Sequence, residues 1–181
     1  MLFRSGAVMQ RVPASQAGFT RNANAPSQTL VLRAHRERCR ERKEGYFVAF
    51  VDMGTFFMSI CRDIVALAEQ WSGVRPEITE ILQCMQQGLH GRVETAYGMT
   101  EKFPMPGVAC GQGHECSPTR SKFVMRFIQE TVNQVVAGYR FGEKGIAQVI
   151  YADDGAFIAE DIAGIQMALD AVWIVARVAG L

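Results

Sequence analysis

Three aspartates are the residues of this chain whose type and spacing could do chemistry. Asp153 and Asp154 stand side by side between two apolar runs, and Asp52 directly follows another apolar run, 46–51. Neighbouring carboxylates repel each other and burial makes their charge costly, whereas a bound divalent cation removes both problems. Asp-Asp-Gly by itself is most simply a polar turn between strands. A carboxylate that ends a buried strand, by contrast, occupies a position where proteins place functional groups.

Convergence of these three carboxylates on one rim would create a site for phosphoryl transfer. Such a set can hold two divalent cations roughly 4 Å apart. One metal lowers the pKa of an attacking hydroxyl, and the other neutralises charge on the transferred phosphate and the leaving group. The sequence therefore predicts Asp52, Asp153 and Asp154 as catalytic and metal-binding residues, with two Mg²⁺ or Mn²⁺ ions as cofactors.

An antiparallel sheet must position these residues, with helices packed on one face in an α+β layer. Asp-Gly between β-prone runs predicts a hairpin that holds Asp153 and Asp154 at its tip, and Asp52 would lie beside them on an adjacent central strand. Residues 1–29 read as irregular. The remaining predicted elements are helices at 30–43, 56–71, 76–89, 117–137 and 162–181, and a further hairpin at 92–105.

A glycine-rich loop at 107–116 precedes one of these helices. Gln112 and Gly113 lie in it, where backbone N–H groups and the lack of a side chain would allow a nucleotide to approach closely. Ser117 as N-cap and Pro118 in the first turn predict the start of the helix.

Composition limits the class of protein. A chain of 181 residues with 49% hydrophobic content is one domain or a piece of one. Because the net charge is only +1, any polyanion would have to bind a local basic patch. The basic helix at 30–43 is a candidate for such a patch. A solvated helix with internal ion pairs explains the same charges. Five cysteines without paired short spacing favour reduced thiols. We expect no membrane span, no secretory signal and an intracellular protein.

Four stretches of the sequence carry a family resemblance. In chain order they are Gln16-Ala17-Gly18-Phe19 followed by the helix beginning at 30, Phe50-Val51-Asp52-Met53-Gly54-Thr55-Phe56-Phe57, Gly111-Gln112-Gly113 with Ser117-Pro118 and Phe123, and Tyr151-Ala152-Asp153-Asp154. Together they resemble the fingers–palm part of a reverse transcriptase, closest to the non-LTR retrotransposon and group II intron type.

The resemblance implies a polymerase palm-like sheet at 46–181, preceded at 1–45 by a partial fingers segment with the basic helix, and without a thumb. The implied activity is RNA-directed DNA polymerisation, with an RNA template, a DNA primer and dNTPs as partners. Phe57 would screen out the ribose 2′-OH. The implied nucleotide- and template-binding residues are Phe57, Gln112, Gly113, Ser117 and Tyr151.

Two alternatives stay open. The chain could be a catalytically inactive palm remnant that serves as an RNA-binding or interaction module. Met58 and His114-Glu115-Cys116, which depart from the family pattern, favour the remnant, as do the truncated ends, whereas the intact carboxylates favour the enzyme. A palm that makes RNA or cyclises nucleotides is the other alternative, against which the bulky Phe57 and Tyr151 argue. The oligomeric state is not predicted.

Overall fold

The structure is a computed structural model that describes residues 15–18, 20, 23–105, 110–111 and 115–181. Its helices are α1 (Ala25–Arg42), α2 (Phe56–Ser59), α3 (Arg62–Trp71), α4 (Pro76–Cys84), α5 (Ser117–Val135) and α6 (Ile162–Ala179). Its strands are β1 (Phe47–Val51), β2 (His90–Gly91), β3 (Glu94–Thr95), β4 (Gly98–Met99), β5 (Phe103–Pro104), β6 (Tyr139–Phe141), β7 (Lys144–Ile146), β8 (Gln148–Tyr151) and β9 (Asp154–Ala159).

A three-stranded antiparallel sheet in the order β1-β9-β8 organises the fold. β1 pairs with β9 from Phe47 opposite Ala159 to Val51 opposite Gly155, and β8 pairs with β9 up to Tyr151 opposite Asp154. Side chains of successive residues alternate between the two faces of such a sheet. The mixture of helices with an antiparallel sheet confirms the predicted α+β class.

The main core lies on one face of this sheet. α5 and α6 pack on each other, and α3 and β9 join them. Ile150 and Phe157 point from the sheet into this core, where they meet side chains such as Phe123, Val132 and Val172. Burying an apolar side chain of this size contributes about 1.5–3 kcal/mol to folding, so these contacts fix the sheet on its helical layer.

A second, smaller cluster lies on the opposite face, beneath α1. Its buried members are Cys39, Tyr139 and Ile158, and Leu32 and Val48 pack against them. Ile158 neighbours Phe157 in the strand and therefore points the other way. The expectation that helices pack on one face only is wrong, because the apolar residues of α1 cover part of the second face.

α1 begins earlier than predicted. The Asn24 side chain caps it by accepting a hydrogen bond of 2.9 Å from the Ser27 N–H, and Pro26 lies in its first turn. Proline is favoured there because its missing N–H would have no helical partner. The prediction that residues 1–29 are irregular is therefore wrong from Ala25 onward.

The predicted helix at 56–71 is broken into α2 and α3. Cys61 adopts an extended conformation at the break, and its N–H donates a 2.7 Å hydrogen bond to the carbonyl of Ala179 at the end of α6. This distant partner satisfies the backbone group that an uninterrupted helix would have bonded internally, which a local pattern does not reveal.

The other segments differ in their limits. The predicted helix at 76–89 ends at 84 as α4. The predicted hairpin at 92–105 is replaced by two short ladders within 90–104, β3 with β4 and β2 with β5. The hairpin of β6 with β7 was not predicted.

α6 bears on the expectation of no membrane span, which stays a prediction. It is long and apolar enough to cross a membrane by length and composition, and 22% of it is buried. Core helices of soluble proteins pass the same test, and α6 packs on α5 and β9.

Candidate active site

The sheet register brings the predicted aspartates to one rim. Val51 lies opposite Gly155, so the same register continued by one residue places Asp52 opposite Asp154. Directly opposed residues of antiparallel strands share a face, with Cβ atoms about 4.5–5.5 Å apart. The pairing of β1 with β9 agrees with the prediction that Asp52 lies beside Asp154, but Asp52 follows β1 rather than belonging to it, and β1 is an edge strand of the three-stranded sheet rather than a central one.

The turn between β8 and β9 is one residue earlier than predicted. Tyr151 pairs with Asp154, so the two turn residues are Ala152 and Asp153, and Asp154 already belongs to β9. Ala152 has a φ of 59°, in the region that glycine favours. The Asp-Gly signal was misleading because Gly155 lies inside the strand, where an added Cβ would come within 2.9 Å of the Phe157 ring.

Asp153 is the aspartate whose ionisation the site perturbs. Burial raises its pKa above the ordinary value of 3.8, and the negative charges of Asp154 and Asp52 raise it further, against a backbone hydrogen bond at Asp153 that lowers it. The three carboxylates therefore share one electrostatic environment, although Asp52 and Asp154 are exposed. This repulsion is the condition that a divalent cation relieves.

The donor set suits Mg²⁺ or Mn²⁺, which prefer carboxylate oxygens. The side chains are not arranged around an ion in this conformation. Among the residues that the structure describes, no group of three or more His, Cys, Asp or Glu side chains is positioned to hold a metal ion. The chemistry of the residues fits a divalent cation, and their side-chain positions would have to adjust to coordinate it.

A cleft of about 320 Å³ lies on the open face of the sheet, beside the start of α1. Asp52, Tyr151 and Asp154 line it. The apolar run that contains Tyr151 predicts a buried side chain, but Tyr151 is 41% exposed, which leaves its ring open to this cleft.

A second cleft of about 630 Å³ continues from the first along α1. Arg36, Arg40 and Tyr46 line it, and Phe50 lines both clefts. Phe50 is 74% exposed, although an apolar strand predicts a buried side chain. Basic and aromatic side chains thus extend from the aspartates along one continuous surface, which the sequence reading recognised only in the charge of the helix.

The remaining predicted site residues have different outcomes. Phe57 lies in α2, half-buried, with its ring edge-on to that of Phe56 at 5.8 Å between centroids. Ser117 is buried and its hydroxyl donates to the Gly111 carbonyl at 2.8 Å. It is the first residue of α5 rather than its N-cap, a position that Cys116 occupies. Gln112 and Gly113 lie outside the described residues.

One residue at the site was missed as a functional candidate. The side chain of Gln16 contacts the backbone of the Ala152–Asp153 turn, and the motif that contains it indicated only a family resemblance.

No protein-family model matches the chain, and a search of curated proteins finds no significant match.

Proposed function

We propose that this chain is the palm of an RNA-directed DNA polymerase, in which the 3′-OH of a primer attacks the α-phosphate of a dNTP and pyrophosphate leaves. The observation that carries the proposal is the register that sets Asp52 opposite Asp154, with Asp153 in the adjoining turn. Residues far apart in the sequence thereby form a carboxylate rim, in which burial raises the pKa of Asp153 and the charges of Asp154 and Asp52 raise it further.

Asp52 and Asp153 would hold the divalent cations, with Asp154 in support. Two such ions supply an activated hydroxyl and charge neutralisation at the transferred phosphate. Ionised Asp153 is needed for binding, so its proton must leave before a cation is held. Because burial and the surrounding negative charges favour the protonated form of Asp153, cation binding and proton release at this carboxyl would be coupled.

The two clefts support a path for the template and primer. Arg36 and Arg40 would neutralise phosphates of the nucleic acid backbone, and the exposed rings of Phe50 and Tyr151 offer surfaces for sugar or base contacts. Such contacts read backbone and shape rather than sequence, as a polymerase requires. Phe57 would exclude the ribose 2′-OH at the adjoining α2.

Primer extension tests the proposal directly. The 181-residue chain, with an RNA template, a labelled DNA primer and dNTPs, should extend the primer in Mg²⁺ or Mn²⁺ and not in chelator. Asp52→Asn and Asp153→Asn should each lose extension, whereas Glu160→Gln, an exposed acidic residue just after β9, should retain it. Retained extension in both aspartate variants would contradict the proposal.

An RNA-binding module without catalysis is the second candidate. The observation in its favour is that the described acidic side chains are not arranged around an ion. This candidate predicts RNA binding of equal strength in chelator and in Mg²⁺, with no extension in either. Fluorescence anisotropy with an RNA–DNA duplex separates the two candidates. For a binding module, Asp153→Asn should leave the affinity for the duplex unchanged or make it stronger. For the enzyme, the same substitution should abolish the dependence of duplex binding on the metal ion.

A further inference from the structure

A glutamine from the N-terminal region holds the turn that carries Asp153. Its side-chain Nε2 donates to the carbonyl of Ala152 at 3.1 Å, and its Oε1 accepts from the Ala152 N–H at 3.0 Å. One amide group of Gln16 therefore engages both backbone polar groups of a single turn residue. The side chain is 2% exposed, so water does not compete strongly for these bonds.

The segment around Gln16 is built into the sheet edge. The Ala17 N–H donates to the Ile150 carbonyl and the Ile150 N–H donates to the Ser15 carbonyl, both at 2.9 Å, which makes a parallel bridge to β8. Gly18 completes the contact, because its N–H donates to the Gln16 Oε1 at 2.8 Å.

Gly18 also leaves no room for a larger residue. A Cβ at this position would lie 2.0 Å from the Ala152 nitrogen, and real Cβ atoms essentially never approach a backbone atom so closely. The close backbone approach brings Gln16 within hydrogen-bonding reach of the turn.

We propose that Gln16 is a positioning residue for the carboxylate site, which it serves through the backbone of Ala152 without touching substrate or metal. This inference rests on the proposed polymerase function and extends it to a residue outside the predicted site.

The physical reason lies in the conformation of Ala152. A non-glycine residue in the left-handed region is disfavoured by roughly 1–2 kcal/mol, so the turn needs outside support to keep it there. The two bonds from Gln16 hold the Ala152 peptide groups on both sides and so fix the point from which the Asp153 side chain departs. Loss of such supporting contacts typically costs about 10- to 100-fold in metal affinity or activity.

The experiment compares Gln16→Met with Gln129→Met. Gln129 is equally buried and anchors the same segment through a 2.7 Å bond from its Nε2 to the Ser15 Oγ, and no contact between its side chain and the turn is described. Methionine has a similar length and volume in both places. Three quantities are measured for each protein: the turnover number against KM for dNTP in primer extension, Mn²⁺ affinity, and hydrogen exchange of the Ala152 amide.

Gln16→Met should lower the turnover number and the Mn²⁺ affinity by about tenfold or more, with KM for dNTP little changed, and should expose the Ala152 amide to exchange. Gln129→Met should lower thermal stability comparably and leave the turnover number of the folded protein and the exchange of the Ala152 amide near wild type. Equal loss of turnover in both variants, or an unchanged turnover number in Gln16→Met, would overturn the positioning role.

Failure of the proposed function gives a different result. A wild-type chain that neither extends primers nor binds Mn²⁺ contradicts the polymerase and with it the catalytic part of the inference. Hydrogen exchange still decides the structural part in that case, since an Ala152 amide as protected in Gln16→Met as in wild type shows that Gln16 does not hold the turn.

Discussion

Burial raises the pKa of Asp153 in the turn between β8 and β9, and the negative charge of Asp52, directly after β1, raises it further. The two residues are distant in sequence and reach each other only because β9 pairs with both β1 and β8. Their interaction links the folding of the sheet to the ionisation of the site.

The first prediction concerns stability without metal. The folded state holds the Asp153 proton more tightly than the unfolded chain, so this contribution to stability is complete below the ordinary pKa of 3.8 and is lost as pH rises through the raised folded value. In chelator, Asp153→Asn should therefore gain unfolding free energy relative to wild type as pH rises through this window. Urea denaturation over a pH series measures it, with Glu160→Gln as the control that should show no such trend.

The second prediction concerns the pH dependence of cation binding. In the proposed site Mn²⁺ would compete with the Asp153 proton, so the Mn²⁺ affinity should rise with pH up to the raised pKa of Asp153 and then level off. Asp153→Asn should weaken binding and flatten the profile. Titration of Mn²⁺ followed by electron paramagnetic resonance measures this, and an unchanged profile in the variant would remove Asp153 from the cation site.

The third prediction concerns sugar selection. Phe57→Val should admit rNTPs, because the smaller side chain leaves space for the 2′-OH, and the ratio of kcat/KM for dNTP over rNTP should fall. Met58→Val changes the neighbouring exposed side chain and should leave the ratio near wild type. Unaltered discrimination in Phe57→Val would exclude Phe57 as the gate.

The fourth prediction uses the same substitution at two positions with opposite outcomes. Ala152→Gly should stabilise the protein by about 1 kcal/mol, because glycine adopts a φ of 59° without steric cost. Ala34→Gly, at an exposed position inside α1, should destabilise by about 1 kcal/mol. Chemical denaturation of both variants checks the signs, and destabilisation by Ala152→Gly would show that the turn does not carry this strain.

The fifth prediction concerns a buried ion pair in the helical layer. The Arg120 Nε lies 2.5 Å from the Glu69 Oε1, and both side chains are almost fully buried. Glu69→Gln should destabilise by about 3–5 kcal/mol, because it leaves a buried cation without its counter-charge. Glu37→Gln removes the exposed partner of Arg33 and should cost about 0.5 kcal/mol or less. A similar melting temperature for the two variants would contradict this difference.

The sequence predicted those features that depend on local periodicity. Runs of apolar residues and strong start and stop signals predict the strand before Asp52, the pair of strands around Asp153 and the long helix that begins at Ser117. The proximity of Asp52 to Asp154 followed from the assumption that their strands share an antiparallel sheet, which the structure confirms for β1 and β9.

Other features depend on contacts that a local pattern does not contain. The break at Cys61 needs the carbonyl of Ala179, and the left-handed Ala152 is held by Gln16. Phe50 reads as a core residue from its type, but the face on which it lies is only partly covered by α1. A residue distant in the sequence decides the backbone conformation at Cys61 and Ala152, and the incomplete packing of α1 on the sheet decides the exposure of Phe50.

The bond from the Cys61 N–H to the Ala179 carbonyl gives the last turn of α6 a mechanical role. Gly180 has a φ of 86°, and a Cβ added to it would lie 3.1 Å from the Ser59 carbonyl oxygen. The end of α6 therefore lies directly against the junction between α2 and α3. The position of α2, which carries Phe57, therefore depends on how the last turn of α6 is seated against this junction. A fusion partner joined to Leu181 without a flexible linker would strain this contact, and in the proposed polymerase it should shift nucleotide selection before it unfolds the sheet.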